Sequence, residues 1–187
     1  MRLLRQIAIV FAVIGLVAGP AAIAGGLFVR DNVQDQLTAQ SITFAPKGSE
    51  GLPADIQSYG GTQVVNGSQA KVFADDYIAE HIQGTLTGAA AEDSRLEGVT
   101  TYSQISSVSR ANPGDQKLEG LVETVFRGEM LRGSLLSAWG WWTFATIMLW
   151  SGVALLAYAV VVGGTLVGSR LVAHYAAKSH RHEPAAV

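Results

Sequence analysis

The histidines are the side chains best suited to metal binding or acid–base chemistry, since the chain contains no cysteine. His81 stands mid-sequence, on the apolar face of a predicted helix and one turn from Tyr77, which favours a packed or interface histidine over a ligand. His180 and His182 form an H-x-H pair in a short basic tail. For that tail we favour contact with anionic headgroups over binding of a divalent metal.

The carboxylates form no catalytic or calcium-binding pattern. Asp75-Asp76 and Glu92-Asp93 are adjacent acidic pairs, but a calcium loop needs a longer series of ligands around a fixed glycine. No G-x-S-x-G elbow is present, and no phosphate-binding glycine loop follows a predicted strand. We therefore predict no catalytic residue, no metal site and no cofactor, and we expect a protein that is not an enzyme.

Two long apolar segments dominate the rest of the chain. No charged residue occurs from Ile7 to Val29 or from Gly133 to Ser169. A helix of about 20 apolar residues crosses the hydrocarbon core of a bilayer, so both segments are predicted to span a membrane. Neither contains the intramembrane ionisable group that is typical of pumps and transporters.

Charge predicts how the chain is oriented. Residues 30–140 carry 8 basic and 14 acidic side chains, which gives net −6, and the flanks are basic. Because short basic flanks stay in the cytoplasm, both termini are predicted inside a plasma membrane, and the acidity outside argues against nucleic acid. The predicted parts are a cytoplasmic N-terminus (1–6), transmembrane helix 1 (7–29), an extracytoplasmic domain (30–140), transmembrane helix 2 (141–169) and a cytoplasmic basic tail (170–187).

Small residues in the first segment predict a helix-packing face. Small side chains let helix backbones approach closely in lipid, and a heptad-like spacing places the following residues on one face: Ala8, Ala12, Gly15, Gly19, Ala22 and Gly26. The alternative is a signal peptide, since Ala22-Ile23-Ala24 fits a cleavage site. We favour retention because the apolar run continues through Val29.

The second segment carries its own markers. Trp139, Trp141 and Trp142 are predicted to anchor its outer end at the membrane interface, and Arg170 its inner end. Gly164 and Gly168 form a G-x-x-x-G that is typical of helix contacts within the chain or with another subunit.

The outer domain is predicted to be a small, mainly helical α+β domain. Ser41–Ala45 alternates apolar and polar residues, which indicates a short strand. Helices are predicted over 69–83, with Ser68 as N-cap and Gly84 as stop, and over 115–130, with Phe126 on the apolar face.

Three stretches resemble a family of actinobacterial membrane proteins: ITFAPKGSEGLPADIQSYGGTQVVNGSQAKVFADDYIAEHIQGTLTG, TYSQI and FRGEMLRGSLLSAWGWW. The resemblance implies an N-terminal helix, an extracytoplasmic domain and a C-terminal helix. Many members are labelled aromatic ring-opening dioxygenases. Non-haem iron enzymes of that kind need two histidines and a carboxylate on one metal, and the predicted outer domain has His81 alone, so we judge the label misleading.

The sequence has no catalytic pattern, and both apolar segments carry small residues suited to helix packing. Together these features favour an accessory role. We expect a structural or accessory membrane protein that contacts the lipid bilayer and associates with itself or with the subunits of a larger envelope or respiratory assembly. The alternative is an extracytoplasmic ligand-binding or sensory module anchored by two helices.

Overall fold

The computed structural model describes residues 2–179, so the predicted H-x-H pair of the tail lies outside the described residues. The chain divides into two compact units. Unit 1 comprises residues 1–28 and 144–187, and unit 2 comprises residues 29–143.

Helices form the architecture throughout the described residues. The α-helices are α1 (Arg2–Gln40), α2 (Gly67–Val72), α3 (Ala79–Glu92), α4 (Tyr102–Ala111) and α5 (Gln116–Ser179). A π-helical segment, Phe73–Ile78, joins α2 to α3, and 3₁₀ turns occupy Ala54–Tyr59 and Ser94–Leu96. Both α1 and α5 contribute residues to each unit.

Two helices of the structure are long and apolar enough to cross a membrane. Their apolar stretches lie within Leu3–Gln40 and Gln116–Arg170, and only 17% of the most apolar window of each is buried within the protein. The core helix of a soluble protein buries most of its apolar surface. These helices instead expose large side chains such as Phe11 (56%), Phe28 (70%) and Trp150 (66%), as expected of helices whose solvent is lipid.

Unit 2 has a hydrophobic core of its own, drawn from every element in residues 29–143. Phe44 is 2% exposed and lies at its centre, with its ring centroid 4.8 Å from Phe73, 5.2 Å from Tyr59 and 5.9 Å from Tyr77. Edge-on and tilted aromatic contacts of this kind add specificity to the area that they bury.

The predicted α+β character of the outer domain is wrong. Within residues 2–179 the structure contains no strand, and the segment around Ser41–Ala45 makes a single antiparallel bridge, Thr43 to Gln63. Three backbone hydrogen bonds join the two segments, at 2.8–3.0 Å, before Pro46 and the turn at Gly60-Gly61 end the pairing. The apolar alternation places Phe44 and Val64 against helices, so their burial needs no sheet.

The helix from Gly67 to Glu92 begins and ends differently from the prediction. The N-cap is Asn66, whose side chain accepts a hydrogen bond from the Gln69 amide, and the helix continues through Gly84. An exposed glycine inside a helix costs about 1 kcal/mol, which buried neighbours of Gly84 such as Ile82 and Leu86 offset. Residues 102–111, for which no element was predicted, form α4 behind a capping box of Thr101 and Gln104.

Candidate functional site

The most constrained part of unit 1 is the contact between α1 and α5. A methyl group on Gly15 would lie 2.6 Å from the Leu155 carbonyl oxygen, and one on Gly26 would lie 2.8 Å from the Ala145 carbonyl oxygen. A methyl group on Gly152 would lie 2.6 Å from the Gly19 oxygen. Real Cβ atoms do not approach a carbonyl this closely, so the two backbones pack at a distance that only glycine permits.

Some of the small residues predicted to pack helices lie in the contact between α1 and α5, and others face open space. Gly15, Gly19 and Gly26 meet α5, and Ala12 is 6% exposed. Ala8 and Ala22 are half-buried. Gly164 and Gly168 have no atom within 4 Å of an added Cβ, so the contact face of α5 runs instead through Ala145, Gly152 and Ala159. That spacing of seven was visible in the sequence.

The tryptophans predicted as membrane anchors lie within unit 2, where two of them contact cationic side chains. The Arg30 guanidinium lies 4.1 Å from the ring centroid of Trp142, and the Lys71 ammonium lies 5.2 Å from that of Trp139. Gly67 packs directly on the Trp142 side chain, leaving no room for a Cβ. Trp141 is 57% exposed. Cation–π contacts of this kind contribute about 0.5–2 kcal/mol each, and sequence reasoning missed Arg30 and Gly67.

An ion-pair network joins the π-helical segment to α5 in unit 2. Asp75 accepts hydrogen bonds from Lys71 and, at 3.0 Å, from Arg132, which also lies 3.6 Å from Glu129. The hydrogen bond from Lys71 lowers the pKa of Asp75, Arg132 acts in the same direction, and partial burial opposes both. The Asp75 side chain is only 24% exposed, so this pair is screened less than one fully in water.

A second network ties the 3₁₀ turn Ser94–Leu96 to the start of α5. Arg95 donates to Asp93 at 2.6 Å and to Asp115 at 2.8 Å, and these hydrogen bonds lower the pKa of both carboxyls. Asp115 also accepts from the amides of Lys117 and Leu118, and so caps α5. The role of both networks is to fix helices in place.

An open cleft of about 780 Å³ on unit 2 includes His81. The His81 side chain is exposed, its Nδ1 lies 2.7 Å from the Tyr77 carbonyl oxygen, and its ring lies 4.3 Å from the Tyr77 ring. Because a carbonyl only accepts, Nδ1 carries the proton and Nε2 is left as the acceptor of the neutral ring. Glu50, Asp55 and Glu80 also line the cleft, which therefore attracts cations.

The cleft lacks the convergence that catalysis or tight metal binding needs. No group of three metal-ligating side chains comes together anywhere in the described part of the chain.

Exposed apolar side chains follow one face of α5 within unit 2. Phe126 is 42% exposed and Met130 is 56% exposed. They are four residues apart, so they lie on the same side of the helix. The prediction that Phe126 belongs to the apolar core face is wrong. Val125 is the buried residue, at 1% exposure, whereas the Phe126 ring is exposed and lies tilted against the Tyr102 ring, with 5.5 Å between the centroids.

Comparisons with protein-family models, with curated proteins and with solved structures return no match. Any functional conclusion therefore depends on the residues and geometry of this chain.

The close contact between α1 and α5 generates a stability prediction. Replacing Gly152 with leucine places side-chain atoms on the Gly19 backbone and forces the helices apart. We expect the full-length protein in detergent to lose at least several degrees of its melting temperature, as expected for a loss of a few kcal/mol.

The matched control is Gly140→Leu on the same helix, where an added Cβ meets nothing within 4 Å. It should leave the melting temperature within about 2 °C of the natural protein, as expected for a substitution costing under ~0.5 kcal/mol. Equal melting temperatures for the two variants would contradict the glycine contact.

The Asp75 network generates a pH prediction. A carboxyl whose pKa is lowered by folding stabilises the protein above its unfolded pKa, and this stabilisation is lost as pH falls through the folded pKa. We expect stability to decline as the pH falls below about 4, and Asp75→Asn to remove about 1 kcal/mol at pH 7. Unfolding curves at several pH values measure both.

In Asp75→Asn the loss of folding stability at acid pH should be smaller than in the natural protein, because one of the carboxyls responsible for it no longer titrates. If the variant and the natural protein show the same pH dependence, Asp75 does not contribute to it.

Proposed function

We propose that this chain is a non-enzymatic, two-pass plasma-membrane protein that serves as a structural or accessory subunit, docking through α5 onto another membrane protein or a second copy of itself. The observation that carries the proposal is the exposed apolar pair of Phe126 and Met130. Met130 precedes the end of unit 2 at Thr143 by about 20 Å of helix, too far for the hydrocarbon core to cover it if the span begins near Thr143. A protein partner would cover it instead.

The open glycines support docking along the membrane part of α5. The tight contacts of Gly15, Gly19 and Gly26 are used within the chain. Gly164 and Gly168 have open space where a side chain would stand, and small residues of this kind let a further helix approach. In this proposal they remain available to a partner.

The proposed topology places both termini in the cytoplasm, residues 30–140 outside, and helix 1 retained in the mature protein. The basic flanks support the orientation. Retention is supported by Gly15 and Gly19, whose contacts with α5 would be lost if the segment were cleaved after Ala24. The resemblance to the actinobacterial family implies the same arrangement of two helices around an outer domain.

The ligand-binding alternative has weaker support. Its best candidate is the cleft around His81, which is open and whose carboxylates do not converge. A ligand site usually encloses most of its ligand.

The topology is tested by labelling introduced cysteines, since the natural chain has none. Glu97 is exposed in unit 2, and we expect Glu97→Cys to react with a membrane-impermeant maleimide in intact cells. Lys178→Cys, in the basic tail, should react only after the cells are permeabilised. The cysteine-free natural protein is the control.

Labelling of Lys178→Cys in intact cells would contradict the proposed orientation. Failure of Glu97→Cys to react in intact cells would contradict it as well. Release of the natural protein by carbonate washing would contradict membrane insertion itself.

The docking role is tested by replacing both Phe126 and Met130 with serine. The tagged full-length variant is purified in mild detergent. We expect the amount of other subunits or second copies that co-purify with it to fall about tenfold or more, which corresponds to a loss of ~1.4 kcal/mol in binding free energy. Quantitative mass spectrometry identifies co-purifying chains, and a second tag detects self-association.

Glu119→Ser with Glu123→Ser is the matched control, because these residues have the same spacing on the same helix and are exposed. The control should keep every partner. Recovery of the natural protein as a lone monomer in mild detergent would overturn the proposal.

A further inference from the structure

An apolar groove lies between α1 and α5 in unit 1, with a volume of about 290 Å³. Ile9 and Leu16 line it from α1, and Gly163 and Leu166 line it from α5. Arg5 and Arg170 are its two charged lining residues. A volume of this size is at the lower end of the range for ligand pockets.

The groove begins where the close packing of the helices ends. At Gly15 an added Cβ would lie 3.2 Å from the Ala159 Cβ, so the helices are in contact there. One turn further along α5, an added Cβ on Gly163 meets nothing within 4 Å. The missing side chain of Gly163 therefore leaves space that neither helix fills.

Within the described residues of unit 1, no acidic side chain compensates the charge of the two arginines. No Asp or Glu occurs in residues 2–28 or 144–179. Neither Arg5 nor Arg170 forms an ion pair with any residue of the described chain. Guanidinium groups bind phosphate oxygens with paired hydrogen bonds, and basic pockets between membrane helices are suited to anionic headgroups.

We propose that this groove binds one anionic phospholipid per chain, with an acyl chain against Ile9, Leu16 and Leu166 and the phosphate held by Arg5 and Arg170. The proposal rests on the membrane placement of the two helices given under the proposed function. An anionic lipid matches both the apolar lining and the two cations, whereas a free phosphate would leave the apolar surface uncovered. The bound lipid would fill the opening beside Gly163.

Native mass spectrometry of the full-length, delipidated protein in detergent tests the proposal. The protein is titrated with phosphatidylglycerol and, separately, with phosphatidylcholine. We expect one phosphatidylglycerol per chain at concentrations about tenfold lower than phosphatidylcholine requires.

Two variants separate the headgroup contact from the acyl contact. Arg5→Gln with Arg170→Gln should weaken phosphatidylglycerol binding about tenfold and remove the preference over phosphatidylcholine. Gly163→Leu fills the groove without touching either arginine, and should abolish the one-to-one complex with both lipids.

Each variant has a matched control. Lys178→Gln with Arg181→Gln removes two charges from the tail, and Gly140→Leu introduces the same side chain at another open glycine. Both controls should bind phosphatidylglycerol as the natural protein does. Melting temperatures show whether each variant is folded.

Equal binding of the two lipids by the natural protein would overturn the proposal. A tail variant that weakens phosphatidylglycerol binding as much as the Arg5 and Arg170 variant does would also overturn it. An unchanged one-to-one complex in Gly163→Leu would also overturn it. The cysteine labelling described above tests membrane placement independently, so a failed lipid assay with correct labelling contradicts the lipid site alone.

Discussion

Glycine permits the backbone-to-backbone approach of α1 and α5 on which unit 1 depends. At Gly15, Gly19, Gly26 and Gly152, an added methyl group would lie within about 3 Å of backbone atoms of the other helix. Hydrophobic burial gives no preference for helix contact in lipid, since lipid tails are as apolar as leucine. Close packing of many atoms must replace it, and glycine gives the shortest distance between two backbones.

This use of the glycines has a consequence for function. A face that is filled within the chain is closed to partners, and this applies to the face of the first helix that carries Gly15, Gly19 and Gly26. The exposed surface of α5 differs, because Gly164 and Gly168 meet nothing within 4 Å and Phe126 and Met130 are exposed beyond the membrane segment. The same helix thus has one face that packs within the chain and another that is exposed and carries small and apolar residues.

Unit 2 is organised by burial and by ion pairs at its edges. The aromatic cluster around Phe44 fixes the irregular segment 41–66 against helices, and Arg95 and Arg132 each connect α5 to an earlier element. Ion pairs near water contribute little individually, so the apolar core supplies the stability and the charged pairs set the register. His81 lies in an open cleft with Glu50, Asp55 and Glu80, and no three metal-ligating side chains come together in the described part of the chain.

The sequence by itself determined the two long apolar helices, because a run of uncharged residues is a local property that needs no knowledge of neighbours. It also indicated the helix that includes Tyr77. Tertiary structure decided the rest. The alternation at Ser41–Ala45 resembles a strand, yet only the helices around it show that Phe44 is buried without a sheet. Gly152 and Gly164 are both glycines of the same apolar run, and only the path of α1 places a backbone against one and open space beside the other.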